Sequence, residues 1–123
     1  MRTILLDIAP KDSRLLEWYS LDDRILELEK LVSTYRWVVI LQTLQKRDEP
    51  DYMTYVGKGK LDEILTLAED LKIDTIIIGN ILKARQIYAI VQEIEKRKLK
   101  VQVWDRVDLI LKIFQRHAKT PEA

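Results

Sequence analysis

Short apolar runs alternate along this chain with stretches in which apolar residues recur every three or four positions. That is the pattern of βα units stacked around a mainly parallel sheet. Residues 3–8 predict a first strand, followed by the polar Ala9-Pro10-Lys11-Asp12-Ser13. A helix is expected next, with Leu21, Ile25, Leu28 and Val32 as its apolar stripe and with Ser20, Asp22 and Asp23 suited to its start. Trp37-Val38-Val39-Ile40-Leu41, extending towards Leu44, is an unbroken apolar run that predicts a central strand buried on both faces.

A polar stretch, residues 45–51, then leads to Gly57-Lys58-Gly59-Lys60 and into a helix with Leu61, Ile64, Leu65, Ala68 and Leu71 on one face. Residues 75–78 predict the third strand, ended by Gly79-Asn80, and the next helix packs through Ala84, Ile87, Tyr88, Val91 and Ile94. Residues 101–104 predict the fourth strand, after which Asp105 leads into a helix holding Leu109, Ile110, Ile113 and Phe114. The predicted fold class is therefore α/β: repeated βα units forming a roughly four-stranded, mainly parallel sheet flanked by helices.

Bulk properties narrow the setting. With 123 residues, 47% of them hydrophobic, the chain has material for one core, so residues 1–123 are expected to form a single domain. The absence of cysteine excludes a disulfide framework, a thiolate metal site and a cysteine nucleophile, and fits the reducing cytoplasm. No apolar run approaches the roughly 18–20 residues that span a bilayer, so no membrane span is expected. The 21 basic and 20 acidic residues leave a formal charge of +1, so any attraction to nucleic acid must be local.

The glycine-lysine loop is the first candidate for chemistry. A Walker loop needs four residues between its glycines and Ser or Thr after the lysine, whereas one residue separates Gly57 from Gly59 and Leu61 follows Lys60. Nucleotide hydrolysis is excluded for this loop. Two readings stay open: a tight turn and helix start with solvated lysines, or a contact in which Lys58 and Lys60 neutralise phosphate and the glycines admit a close backbone approach.

Lys96, Arg97, Lys98 and Lys100 form a second basic cluster at a helix end, where cations favourably face the dipole. Asp105 is a candidate N-cap, and Arg106 beside it a candidate partner for a carboxylate, at a strand's carboxyl end where open sheets place ligand crevices. His117 is the sole histidine, without the companions that a metal site or triad requires. Trp37 and Trp104 read as packing residues, while Tyr52 and Tyr55, flanking the loop, are expected to be exposed. No catalytic residue emerges, so this chain alone is not expected to be an enzyme.

The segment from Pro50 to Ile64, containing Tyr55-Val56-Gly57-Lys58-Gly59-Lys60, resembles the signature of the N-terminal domain of HflX-family GTPases. Val103-Trp104-Asp105-Arg106 through Phe114, followed by Ala118, Lys119, Thr120 and Glu122, is similar to that domain's closing motif. Between them, Asn80, Leu82 and Gln86 resemble a weaker family segment, with Lys83-Ala84 replacing a usual Ser-Pro pair.

The resemblance covers the whole chain but only the front of a family member. It implies that Thr120 to Ala123 form a junction to helical and GTPase regions, that GTP and magnesium belong to those regions, and that ATP is a possible ligand here. It also implies partnership with the GTPase domain and with the large ribosomal subunit and its rRNA, in ribosome splitting or rescue. Gly57, Lys58, Gly59, Lys60 and Arg106 become the expected RNA or phosphate contacts, supported by Tyr55, Asp105, Lys96 and Arg97. The rival expectation is a small-nucleotide site near Gly57 to Lys60 and Asp105-Arg106. A third is a domain that serves only to pack on the GTPase region.

Overall fold

The computed structural model describes residues 1–9, 11, 29–30, 32–33 and 37–118, the last three without side-chain detail. It contains strands β1 (Arg2–Ala9), β2 (Val38–Lys46), β3 (Thr75–Ile78) and β4 (Gln102–Trp104), with helices α1 (Lys58–Asp70), α2 (Ala84–Lys96) and α3 (Arg106–Ala118). All strand pairings within the sheet are parallel, in the order β2-β1-β3-β4. The predicted α/β class and four-stranded parallel sheet are borne out.

Alternation along the strands divides the core into two. Ile4, Leu6, Ile76 and Ile78 face a cluster built with Leu61, Ile64, Leu65 and Ala68 of α1 and Ile90 and Ile94 of α2. Leu5 and Ile77 face the opposite cluster, with Val32, Trp104 and Leu109. Both faces of the central strands are thus covered, which is why β3 reads as an uninterrupted Thr-Ile-Ile-Ile run and is buried throughout. Trp104 and Trp37 meet edge to face, with centroids 5.2 Å apart, confirming both as packing residues.

The prediction of a central second strand is overturned. β2 is an edge strand, half-exposed along its length, and Val38 in its apolar run is 54% accessible. The run is apolar because both faces are partly covered by neighbouring layers, although no described strand lies beyond it. A register shift between Thr3 and Ile4 inserts one extra β2 residue, Ile40, against β1. Such a bulge bends an edge and blunts further pairing.

The first predicted helix falls largely outside the described residues, as do Leu21, Ile25, Leu28, its capping candidates and Thr120 to Ala123. Residues 29, 30, 32 and 33 are helical, and Val32 is buried as expected. In α3, Leu109 enters the core, whereas Ile110 and Phe114 are exposed together with Val107 and Leu111. Positions 107, 110, 111 and 114 repeat at helical spacing, so α3 carries a second apolar stripe on its outer side.

α1 and α2 end alike. Lys72 N–H bonds the Glu69 carbonyl and Ile73 N–H that of Ala68; Lys98 N–H bonds Glu95 and Leu99 N–H Ile94. Both are Schellman caps, and both place a lysine in the left-handed region, with φ of 54° at Lys72 and 56° at Lys98. Glycine suits that conformation better because it has no Cβ. Lys72→Gly and Lys98→Gly are each expected to raise unfolding stability by about 0.5–1 kcal/mol, and the pair to be nearly additive, in denaturant titrations. Unchanged or lowered midpoints would contradict the assignment.

Candidate functional site

In a parallel βα arrangement the helices begin at the carboxyl ends of the strands, and the chain's unusual features gather there. The order β2-β1-β3-β4 reverses direction between β1 and β3, the place where open sheets leave a crevice. Here that place is filled from within. Tyr55 is 2% exposed, and its phenol donates a 2.7 Å hydrogen bond to Asp7 Oδ1 at the end of β1. The expectation that Tyr55 is exposed is therefore incorrect.

Opposite, Gly79 follows β3 with no room for a side chain, since a Cβ would lie 2.6 Å from Asp7 Oδ2. Asp7 was the overlooked residue, and its signal was a carboxylate inside an otherwise buried strand.

Tyr55 reaches inward because the loop before it folds back on itself. Asp51 and Tyr55 exchange backbone hydrogen bonds of 2.8 and 3.1 Å, and Asp51 Oδ1 accepts the Met53 and Thr54 N–H groups at 2.9 and 3.0 Å. The chain then passes through Tyr55 at φ 66°, a left-handed conformation rare for a bulky residue. The Thr54 N–H foremost, then that of Met53, holds the Asp51 carboxyl below its ordinary pKa, with Arg47 adding to the effect.

The glycine-lysine segment opens α1, as expected. Gly57 is the N-cap, with φ of −59°, and no glycine has a positive φ, so unusual backbone angles are not its purpose. A Cβ at Gly57 would meet the side-chain ends of Gln45 and Arg47 at 2.9 and 3.1 Å, while the Gly57 N–H donates to Gln45 Oε1 at 2.7 Å. Gly59 differs: nothing lies within 4 Å of where its Cβ would be. Packing does not require glycine there, and the first turn is left bare.

Charge at this edge runs against the helix dipoles. No side chain caps α1, its first turn has no acidic residue, and Lys58 and Lys60 occupy it. Lys58 is exposed, whereas Lys60 is mostly covered and lies 3.8 Å from Glu63. α2 likewise begins without an acidic first turn, flanked by Lys83 and Arg85. By contrast α3 is conventionally capped: Asp105 Oδ1 accepts the Asp108 N–H at 2.9 Å, and Asp108 Oδ2 accepts that of Asp105 at 3.2 Å.

The other expected contacts separate from the lysine loop. Asp105 is buried, and its second oxygen accepts the Leu82 N–H at 3.0 Å, so this carboxylate is engaged within the fold. Arg97 bonds Asp62 Oδ1 and Thr66 Oγ1, each at 3.1 Å, tying α2 to α1. Lys96 pairs with Glu93 at 3.3 Å at the far end of α2. Arg106, half-buried, joins the edge through its N–H to the Asn80 carbonyl at 3.2 Å. An open depression of about 470 Å³ lies at the end of β2, lined by Lys11, Gln45, Lys46, Arg47, Asp48 and Glu49. Among the described residues no group of His, Cys, Asp or Glu could hold a metal ion.

Comparison with known proteins gives this arrangement a family. The family model described as GTP-binding GTPase N-terminal matches residues 22–115. The chain belongs to that family. It is 37% identical over 101 residues to the GTPase HflX of Alkalihalophilus pseudofirmus, covering 82% of this chain and 23% of that protein. To the GTPase HflX of Methanocaldococcus jannaschii it is 35% identical over 98 residues, covering 79% and 22%.

Crystal structures of two SsGBP variants match with TM-scores of 0.66 and 0.67 at 29% and 28% identity, over 99% of this chain and 34% and 35% of those chains. The chain thus spans less than a quarter of the length of these HflX relatives. No helix among the described residues is long and apolar enough to cross a membrane.

The three HflX-like segments meet at this one edge. Gln86 Nε2 donates to the Asp51 carbonyl at 2.9 Å and Arg85 Nε to that of Tyr52 at 3.2 Å, joining the middle segment to the first. Leu82 and Asn80 join it to the third through Asp105 and Arg106. Asp51 is the hinge of the first segment, and its lowered pKa gives a signed expectation. A depressed carboxyl stabilises the fold above its unfolded pKa of about 3.9 and loses that contribution as pH falls through the folded value. Thermal melts should therefore show the wild type losing stability below about pH 4 more steeply than Asp51→Asn, with the variant the weaker at pH 7. Parallel pH profiles would refute the role.

Proposed function

We propose that this chain is the ribosome- and rRNA-binding, regulatory N-terminal domain of a cytoplasmic HflX-like GTP-binding protein that acts on the large ribosomal subunit in splitting or rescue. In this reading GTP and magnesium are handled by the GTPase region of the longer protein, and this chain contributes recognition. The carrying observation is the uncapped start of α1, where Lys58 stands exposed and Gly59 leaves the backbone open at the edge shared by all three family segments. Uncapped amide groups and an exposed lysine at a helix start attract phosphate oxygens. Lys60, mostly covered and 3.8 Å from Glu63, adds a second charge to the same turn, and Arg106 stands further along the same edge.

Large-subunit binding over a salt series tests this. Lys58→Ala/Lys60→Ala should weaken binding and reduce the slope of log affinity against log salt by about 0.7 to 0.9 for each phosphate that the variant no longer neutralises. Equal affinity and an equal slope would remove the lysine assignment.

A second reading is favoured by the exposed stripe of Val107, Ile110, Leu111 and Phe114: the domain packs on, and modulates, the GTPase region of a longer chain. Ile110→Ser/Phe114→Ser should then change GTP turnover of a longer protein containing this domain, yet leave the 123-residue chain's stability within about 0.5 kcal/mol per site. Unchanged turnover, or a large loss of stability in this chain alone, would count against it.

A further inference from the structure

The loop that turns Tyr55 inward turns Tyr52 outward. The residue is 67% exposed, yet its ring is held in place: the Arg85 guanidinium carbon lies 3.8 Å from the ring centroid, and Arg85 Nε donates to the Tyr52 carbonyl at 3.2 Å. Arg85 is in turn fixed on the first turn of α2, next to Gln86, which bonds the Asp51 carbonyl. A cation thus covers one face of the ring while most of the residue stays open to solvent. Tyr88 stands one helical turn along α2, exposed, with its hydroxyl accepting a 2.9 Å bond from Gln92. Exposed positive charge stands at the starts of both helices of this edge, with Lys83 as the N-cap of α2, two residues before Arg85, and Lys58 in the first turn of α1.

An exposed tyrosine with its orientation fixed in advance loses little freedom when something stacks on it. A guanidinium behind the ring adds a positive charge that favours an electron-rich partner carrying phosphate. We propose that Tyr52, backed by Arg85, is a stacking platform for an unpaired base of an RNA strand whose phosphates run past Lys58 and Lys83. This rests on the reading that the domain binds ribosomal RNA, and it narrows the target to a looped or splayed base, because bases inside a duplex present no free face. With the residue this exposed, a lone mononucleotide would gain one stacked face, whereas a strand adds phosphate contacts to the lysines of the helix starts.

The test uses the 123-residue chain, with Tyr52→Ala and Tyr52→Phe, against isolated large subunits and against a short single-stranded RNA with and without one abasic position. Thermal melts confirm folding, which the exposed ring should not affect. Tyr52→Ala should weaken binding about ten-fold with an unchanged salt slope, Tyr52→Phe should bind as the wild type, and only proteins with an aromatic ring should prefer the base-bearing strand.

Equal binding of subunits by wild type and Tyr52→Ala, or indifference of the wild type to the abasic position, overturns the platform while the ribosome reading stands. It would assign the patch to a protein partner. Failure of the wild type to bind subunits at low salt overturns both.

Discussion

The hydrogen bond from Tyr55 to Asp7 is the contact on which the carboxyl edge of this domain depends. It joins the inward tip of the loop to the central strand, and it closes the crevice that a sheet of this order would otherwise leave between β1 and β3. The left-handed φ at Tyr55 carries a conformational cost that local geometry alone does not offset. It persists because Asp51 pins the loop from one side, while burial of the ring and the Asp7 carboxylate hold it from the other. Gly79 completes the arrangement by leaving the carboxylate the space that a methyl group would take.

With the crevice filled, the exposed polar groups of this edge lie at the helix starts and the loop between them. The three family-like segments lie far apart in sequence, yet side-chain to backbone bonds weld them together: Gln86 to residue 51, Arg85 to residue 52, and Asp105 to residue 82. Those bonds use the polar groups of Gln86 and Asp105 inside the protein. They leave Lys58, Tyr52 and Lys83 outside. Residues that look alike as motif members thus divide into positioning groups and presented groups.

Much of the fold was legible because it follows from periodicity. The strands, the three later helices and the start of α1 at Gly57 are set by apolar spacing and by covered sheet faces. The position of β2 was not legible, since an edge strand clasped by partial layers on both faces has the same apolar run as a central one. The helix ends were hidden too, because Lys72 and Lys98 occupy positions where the usual signal is glycine. At the site, the lysine loop could be read directly. The burial of Tyr55 could not, because it depends on a partner 48 residues away. Asp7 was visible only as an anomaly, a charge in a strand with no apparent reason to be there.

The electrostatics of the helix starts show how these levels join. Anions at a helix N-terminus typically stabilise by about 0.3–1 kcal/mol, and cations there oppose the dipole by a similar amount. α3 follows that rule with Asp105 and Asp108, so the chain is capable of conventional capping. α1 and α2 depart from it at the same edge, with Lys58, Lys60, Lys83 and Arg85 and no acidic residue in either first turn. A preference for folded stability alone would place carboxylates at both. The departure makes sense if the negative charge comes from outside the chain, so that the cost to the free domain becomes part of the affinity of the bound one.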